Sequence, residues 1–132
     1  MSRARSLRND MFTPLTDEKR AEYLALIGKK VTVTMDRPIG AEHPKHPNIF
    51  YPINYGYIDG LLGGDGEEQD VYVLDADFPL EECDATIIAV VHRFDDDECK
   101  WVASYTGTKH TADEIEKAIH FQEQFHDSII VM

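Results

Sequence analysis

Asp65, Glu67 and Asp70 fall within six positions of a glycine-rich stretch that follows the aromatic run Tyr51-Pro52-Ile53-Asn54-Tyr55-Gly56-Tyr57. Carboxylates this close repel one another unless water screens them or a hard cation neutralises them. Mg²⁺ takes oxygen ligands in near-octahedral geometry and is commonly held by a few carboxylates together with substrate phosphates. A second acidic run, Asp95-Asp96-Asp97-Glu98, closes two residues before Lys100. If the two runs are turns on one rim of a barrel, their carboxylates meet across its mouth. The set would then hold divalent ions that clamp phosphoryl oxygens and acidify a bound water toward a pKa of about 7. Lys100 would face the phosphate, with Lys45 and Arg37 as further cations from a proline-rich loop. A solvated hairpin tip is the competing reading for each acidic run.

These side chains need a scaffold, and the sequence describes one. Thr16 caps a helix over 17–27, which Gly28 stops. Lys30 to Asp36 alternates β-branched residues and predicts a strand. Residues 37–48 hold Pro38, Pro44 and Pro47, which excludes a regular helix or central strand and leaves a loop. Residues 49–58 are extended, and 59–69 form a long glycine-rich turn. Further strands are expected over 70–74, 85–91 and 100–105, with 85–91 central because it is wholly apolar. Thr111 followed by Glu114 has capping-box spacing. It opens a helix that presents Ile115, Ala118, Ile119, Gln122 and Phe125 on one face. Five strands and a C-terminal helix predict a small closed barrel, an α+β architecture, with a flat sandwich as the alternative. Strand alternation puts Tyr51 and Tyr55 on one face and Asn54 on the other. Gly56 marks a place of close backbone approach.

Composition narrows the function. The 132 residues suit one domain over 15–132 behind a flexible leader over 1–14. A net charge of −12 disfavours binding to a nucleic-acid backbone. The same field repels a small phosphate, so a metal must reverse the local sign if the substrate is anionic. No apolar run is long enough to span a membrane. The basic N-terminus lacks the apolar core of a secretory signal. Cys83 and Cys99 form no Cys-x-x-Cys pair and read as reduced thiols of a cytoplasmic protein. His43 and His46 lack a zinc-ligand spacing. Neither a P-loop nor a dinucleotide fingerprint is present.

Tyr51-Pro52-Ile53-Asn54-Tyr55-Gly56-Tyr57-Ile58, followed by Asp65-Gly66-Glu67-Glu68-Gln69-Asp70-Val71, resembles the signature of the soluble family I inorganic pyrophosphatases. That signature reads Tyr-Pro-x-Asn-Tyr-Gly-Tyr/Phe-Ile and then Asp-Gly-Asp-Pro-x-Asp-Val/Ala. His120 to Asp127 resembles the family's last helix, and the likeness spans about residues 30–127. It implies an OB-like five-stranded closed barrel with a C-terminal helix, behind the short N-terminal helix. It also implies hydrolysis of pyrophosphate to two phosphates with Mg²⁺, or alternatively Mn²⁺, often in a homo-oligomer. By this likeness Asp65 and Asp70 are metal ligands, and Glu67 stands where an aspartate accepts a proton from the nucleophilic water. Tyr55 lines the site. Lys100 matches a phosphate-binding lysine, preceded by metal ligands at Glu98 and at Asp95 or Asp96. The departures are Glu67 for Asp, Phe125-His126 for a phosphate-binding Tyr-Lys pair, and a shortened segment before Tyr51. In that segment His43 falls near the place of an arginine and Lys45 is a substitute cation. His126 is thereby a substrate-binding candidate. The metal side of the site is kept while the anion-binding side is thinned. Two readings therefore stand beside pyrophosphate hydrolysis: a hydrolase of another phosphoanhydride, and a non-catalytic metal- or phosphate-binding module.

Overall fold

The computed structural model describes residues 13–132, so most of the expected leader lies outside the described residues. Thr13 itself is tied down. Its N–H donates to the Phe94 carbonyl at 2.7 Å, and its carbonyl lies 2.9 Å from His92 Nε2. Helix α1 spans Asp17–Leu26, with the Thr16 hydroxyl accepting from the Lys19 N–H. The strands are β1 Lys30–Arg37, β2 Asn54–Leu62, β3 Glu68–Leu74, β4 Glu82–Arg93 and β5 Cys99–Ser104. Helix α2, Ala112–Glu123, follows, and β6, Ser128–Val131, closes the chain.

Strand order runs β1-β2-β3-β5-β4, and β1 pairs back onto β4, so the sheet closes. That closure decides for the OB-like barrel and against the sandwich. All pairings are antiparallel except β3 with β5, which is parallel and sets Val71 opposite Trp101. β6 pairs with the far end of β4, from Val90 to Arg93, and was not foreseen.

Alternation along β3 distributes its side chains between two clusters. Val71 and Val73 join Val33, Ile87, Val90, Trp101 and Ala103, with Tyr23 and Leu26 of α1 packed against them. Tyr72 and Leu74 join Tyr51, Tyr55, Val91, Val102 and, from α2, Ile115 and Ile119. The capping box that begins α2 is complete: Thr111 and Glu114 each accept the other's backbone N–H.

The glycine-rich region is more regular than expected. β2 continues to Leu62 through Gly60, whose φ is +79°, with an irregularity in pairing between Tyr57 and Leu62. Gly60 is a bulge within a strand rather than part of a turn, and the turn shrinks to 63–67. β4 reaches further at both ends than the apolar run suggested. α2 stops at Glu123, leaving Phe125 beyond it.

Gly56 is required by geometry. A Cβ there would sit 2.1 Å from the Thr34 carbonyl oxygen across the β1–β2 pair. Asn54, fully buried, accepts from the Ile39 and Leu80 N–H groups and donates to the Phe78 carbonyl. It thereby ties the proline loop to the β3–β4 connection.

Candidate active site

The parallel β3–β5 ladder carries the site. Because Val71 stands opposite Trp101, Asp70 and Lys100 are the preceding neighbours on adjacent strands. Lys100 Nζ lies 2.5 Å from Asp70 Oδ2 and 2.8 Å from Glu98 Oε1. Its ammonium sits 5.5 Å from the centre of the Tyr55 ring, within cation–π range. The lysine side chain is almost wholly buried, so this charge is held on desolvated partners rather than in water.

The two acidic turns do meet. A Cβ on Gly64 would fall 2.4 Å from the Asp97 carbonyl oxygen, so turn 63–67 rests on turn 94–98 with glycine at the contact. The Asp65 and Glu98 carboxyls interact across the junction. Burial, opposed by Lys100 and aided by Asp65, pushes the Glu98 carboxyl up to about 7. Burial works the same way on Asp65, yet its hydrogen bonds to Glu98 and to the Glu67 N–H leave its carboxyl below the usual range.

A cleft of about 320 Å³ opens beside this network, on the α2 face. Tyr51, Tyr55, Asp70, Arg93, Asp96, Glu98 and Lys100 line it on one side. Arg37, expected in the proline loop, comes instead from the end of β1. The loop contributes His43, Lys45 and His46, and the end of α2 and the residues after it contribute Gln122, Phe125 and His126. Tyr51 donates to Gln122 Oε1 at 2.9 Å. Burial, reinforced by Asp70, raises the Tyr55 phenol well above its ordinary value, which keeps it protonated as a donor.

Of the candidates named from sequence, Tyr55, Asp70, Lys100, Glu98, Asp96, Lys45 and His126 all line this cleft. Asp65 and Glu67 stand on the adjoining exposed turn, where Asp65 Oδ1 accepts the Glu67 N–H at 3.0 Å. Asp95 turns toward His126, with Oδ2 3.4 Å from Nδ1. That nitrogen is buried and has no hydrogen-bond partner among the described residues, because the approach is near but misaligned. Phe125 stacks on His46 with 3.7 Å between centroids, and His43 stacks on Tyr51 at 5.7 Å. The two histidines therefore build an aromatic wall. Burial lowers the His43 pKa.

Sequence reading missed Arg93. Its Nε and Nη2 grip Glu123 at 3.2 and 2.6 Å, and Nη1 reaches Asp96 Oδ2 at 3.2 Å and Glu98 Oε1 at 3.4 Å. Burial opposes its charge, but Glu123 holds the guanidinium firmly protonated, and Arg93 in turn keeps the Glu123 carboxyl below its usual range against burial. The available signal was parity: Arg93 lies two past Val91 and four past Ala89, which face the tyrosine cluster.

Among the described residues, no group of three or more His, Cys, Asp or Glu side chains converges as a ready-made metal site. Mg²⁺ asks for less, since one or two carboxylates plus phosphate oxygens and water complete its shell. Asp65 and Glu98, oxygen donors on two turns that meet, are a donor set that such a cation fits.

Fold and site together define a closed OB-like barrel bearing an acidic, cation-threaded cleft beside its C-terminal helix. Solved structures of the same fold include the inorganic pyrophosphatase of Ehrlichia chaffeensis, at 19% identity and TM-score 0.60, covering 77% of this chain and 84% of that one. That of Coxiella burnetii matches at 15% identity and TM-score 0.59, covering 79% and 84%. That of Thermus thermophilus matches at 14% and 0.56, covering 92% and 87%. No protein-family model and no curated protein matches the chain. Likeness at these identities establishes the fold.

Proposed function

We propose that this chain is a divalent-cation-dependent hydrolase of inorganic pyrophosphate. The observation that carries the reading is Lys100 bridging Asp70 and Glu98 where two acidic turns join, on a barrel shared with bacterial pyrophosphatases. In this reading Asp65, Asp70 and Glu98 hold Mg²⁺ or Mn²⁺, with Asp95 and Asp96 as further carboxylates of the same turn. The cation would neutralise phosphate oxygens and acidify a water near them. Lys100, Tyr55 and Lys45 bind and orient the anion, and His126 adds charge when protonated. Glu67, one methylene longer than aspartate, accepts the proton of the attacking water. We place the protein in the cytoplasm, on its two free thiols, and expect a homo-oligomer. Among the described residues no helix is long and apolar enough to cross a membrane.

Release of phosphate from pyrophosphate, with Mg²⁺ and then Mn²⁺, tests the reading against an Asp70→Asn control. Metal-dependent release that disappears in the control supports it. No release by the folded protein with either metal refutes it. One observation favours a second substrate class: Phe125 stays 42% exposed at the edge of a polar cleft, a surface on which an aromatic group can stack. A nucleoside diphosphate run in the same assay checks that reading, and a release rate matching that from pyrophosphate would favour it.

A further inference from the structure

The acidic turns account for cation binding, but they leave open what holds an anion in a chain of net charge −12. Arg37 at the end of β1 and Lys45 of the proline loop both keep contact with water. Arg93 is different. Its side chain is only 3% exposed, yet it lines the cleft.

Its five N–H donors are divided unequally. Nε and Nη2 form a two-point fork on Glu123, the nearer contact being 2.6 Å. Glu123 is itself fixed, accepting from the Tyr72 hydroxyl at 2.5 Å. The buried chain from Tyr72 through Glu123 sets the plane of the guanidinium. Nη1 is left with two long contacts, 3.2 Å to Asp96 and 3.4 Å to Glu98, at the far end of the range for such bonds. The rigid half of the side chain is buried and the loosely engaged half faces the cleft.

Glu98 Oε1 shows what that half can do. The same oxygen lies 2.8 Å from Lys100 Nζ and 3.4 Å from Arg93 Nη1. An oxyanion oxygen near this position reaches both cations. We infer that Arg93 Nη1 and Lys100 Nζ form a two-cation subsite at the base of the cleft that binds one phosphoryl group of a small polyanion, with Arg93 as a direct ligand. Arg93 thereby supplies charge that Arg37 and Lys45 do not. This inference rests on the phosphoanhydride reading of the cleft and adds a binding residue to it.

The test uses imidodiphosphate, which resists hydrolysis, titrated into the full chain by calorimetry, with pyrophosphate turnover measured alongside. Arg93→Met combined with Glu123→Gln removes both members of the buried pair and avoids stranding one charge. Glu123→Gln alone keeps the arginine, and Arg93→Lys keeps a cation without the fork. The double variant is expected to bind imidodiphosphate at least tenfold more weakly. Its KM is expected to rise by a similar factor with kcat little changed, because the contact exists before and during reaction. Glu123→Gln loosens the fork but keeps the guanidinium, so it should lose clearly less affinity than the double variant, and Arg93→Lys should also fall between the double variant and the unaltered chain. A merely structural arginine would make Glu123→Gln as harmful as the double variant, and that result overturns the assignment. Unchanged affinity and KM in the folded double variant also overturn it while leaving the hydrolase reading intact. If the unaltered chain neither binds imidodiphosphate nor releases phosphate, both readings fall.

Discussion

Gly64→Ala offers a sharp test of whether the two acidic turns act as one unit. Gly64 has no positive φ, so alanine meets no backbone strain there. The obstacle is contact alone: the new Cβ would lie 2.4 Å from the Asp97 carbonyl oxygen, whereas real Cβ atoms keep at least 3.0 Å and ordinary contact begins at 3.4 Å. The turns must separate by 0.6 Å to be tolerated and by 1.0 Å to be comfortable, taking each threshold less 2.4 Å. Both contacting groups belong to backbone, so no side chain can swing aside. Overpacking of this kind costs about 1–3 kcal/mol, and the exposed setting of the turns favours the lower end. The effect on chemistry is larger. A misplacement near 1 Å lowers rates by about 10²-fold, equivalent to about 2.7 kcal/mol of transition-state stabilisation. Steady-state phosphate release should therefore fall by about two orders of magnitude in kcat/KM while the thermal midpoint moves only a few degrees. Gly66→Ala is the control. Its φ of +83° costs alanine about 1 kcal/mol, but nothing lies within 4 Å of the added Cβ, so activity should hold. Gly64→Ala protein that keeps kcat/KM within threefold would refute the claim that the Asp65–Glu98 junction must stay closed.

Asn54→Leu should destabilise by about 3 kcal/mol or more, because two backbone N–H groups and a carbonyl lose their partner in a fully buried place, and urea titration reads this directly. Thr111→Ala should cost about 1 kcal/mol by the same measurement, through loss of the α2 cap. His110 is bonded to Asp75 at 2.8 Å, and that bond raises its pKa above the ordinary 6.5. Its stabilisation is fully present below about pH 6.5 and is lost as pH rises through the raised folded value. The stability difference between the parent and His110→Gln should accordingly shrink as pH rises from about 6.5 through the raised folded value. A constant difference in urea melts across that range would remove His110 as its source.

Much of the scaffold could be read from local signals. β-branched alternation marked β1, the wholly apolar run marked β4, and Thr16 and Thr111 marked the helix starts because capping is a short-range interaction. The bulge at Gly60 was misread because glycine at positive φ serves a turn and a strand irregularity equally well, and only the partner strand decides. β6 escaped notice because four residues, Ser-Ile-Ile-Val, carry too short a pattern without the edge of β4 that receives them. At the site, Asp70, Glu98 and Lys100 were legible as types at suggestive spacing. That Lys100 would bridge the two carboxylates was not, since it depends on a pairing thirty positions apart. Arg93 drew no reading because the expected strand ended at Val91, and its burial became visible only once Glu123 of α2 was seen to cover it.

The parallel ladder of β3 and β5 has a consequence for how this chain tolerates change. It sets Asp70 beside Lys100 by pairing and not by the length of chain between them. Residues added to or removed from the connection between β3 and β4 are absorbed as loop while the ladder keeps its phase. A shift of one residue in the ladder itself would bring Cys99 or Trp101 opposite Asp70 and turn Lys100 to the other face. Insertions and deletions should therefore collect in that connection in related chains, and the stretches 70–74 and 100–104 should admit none.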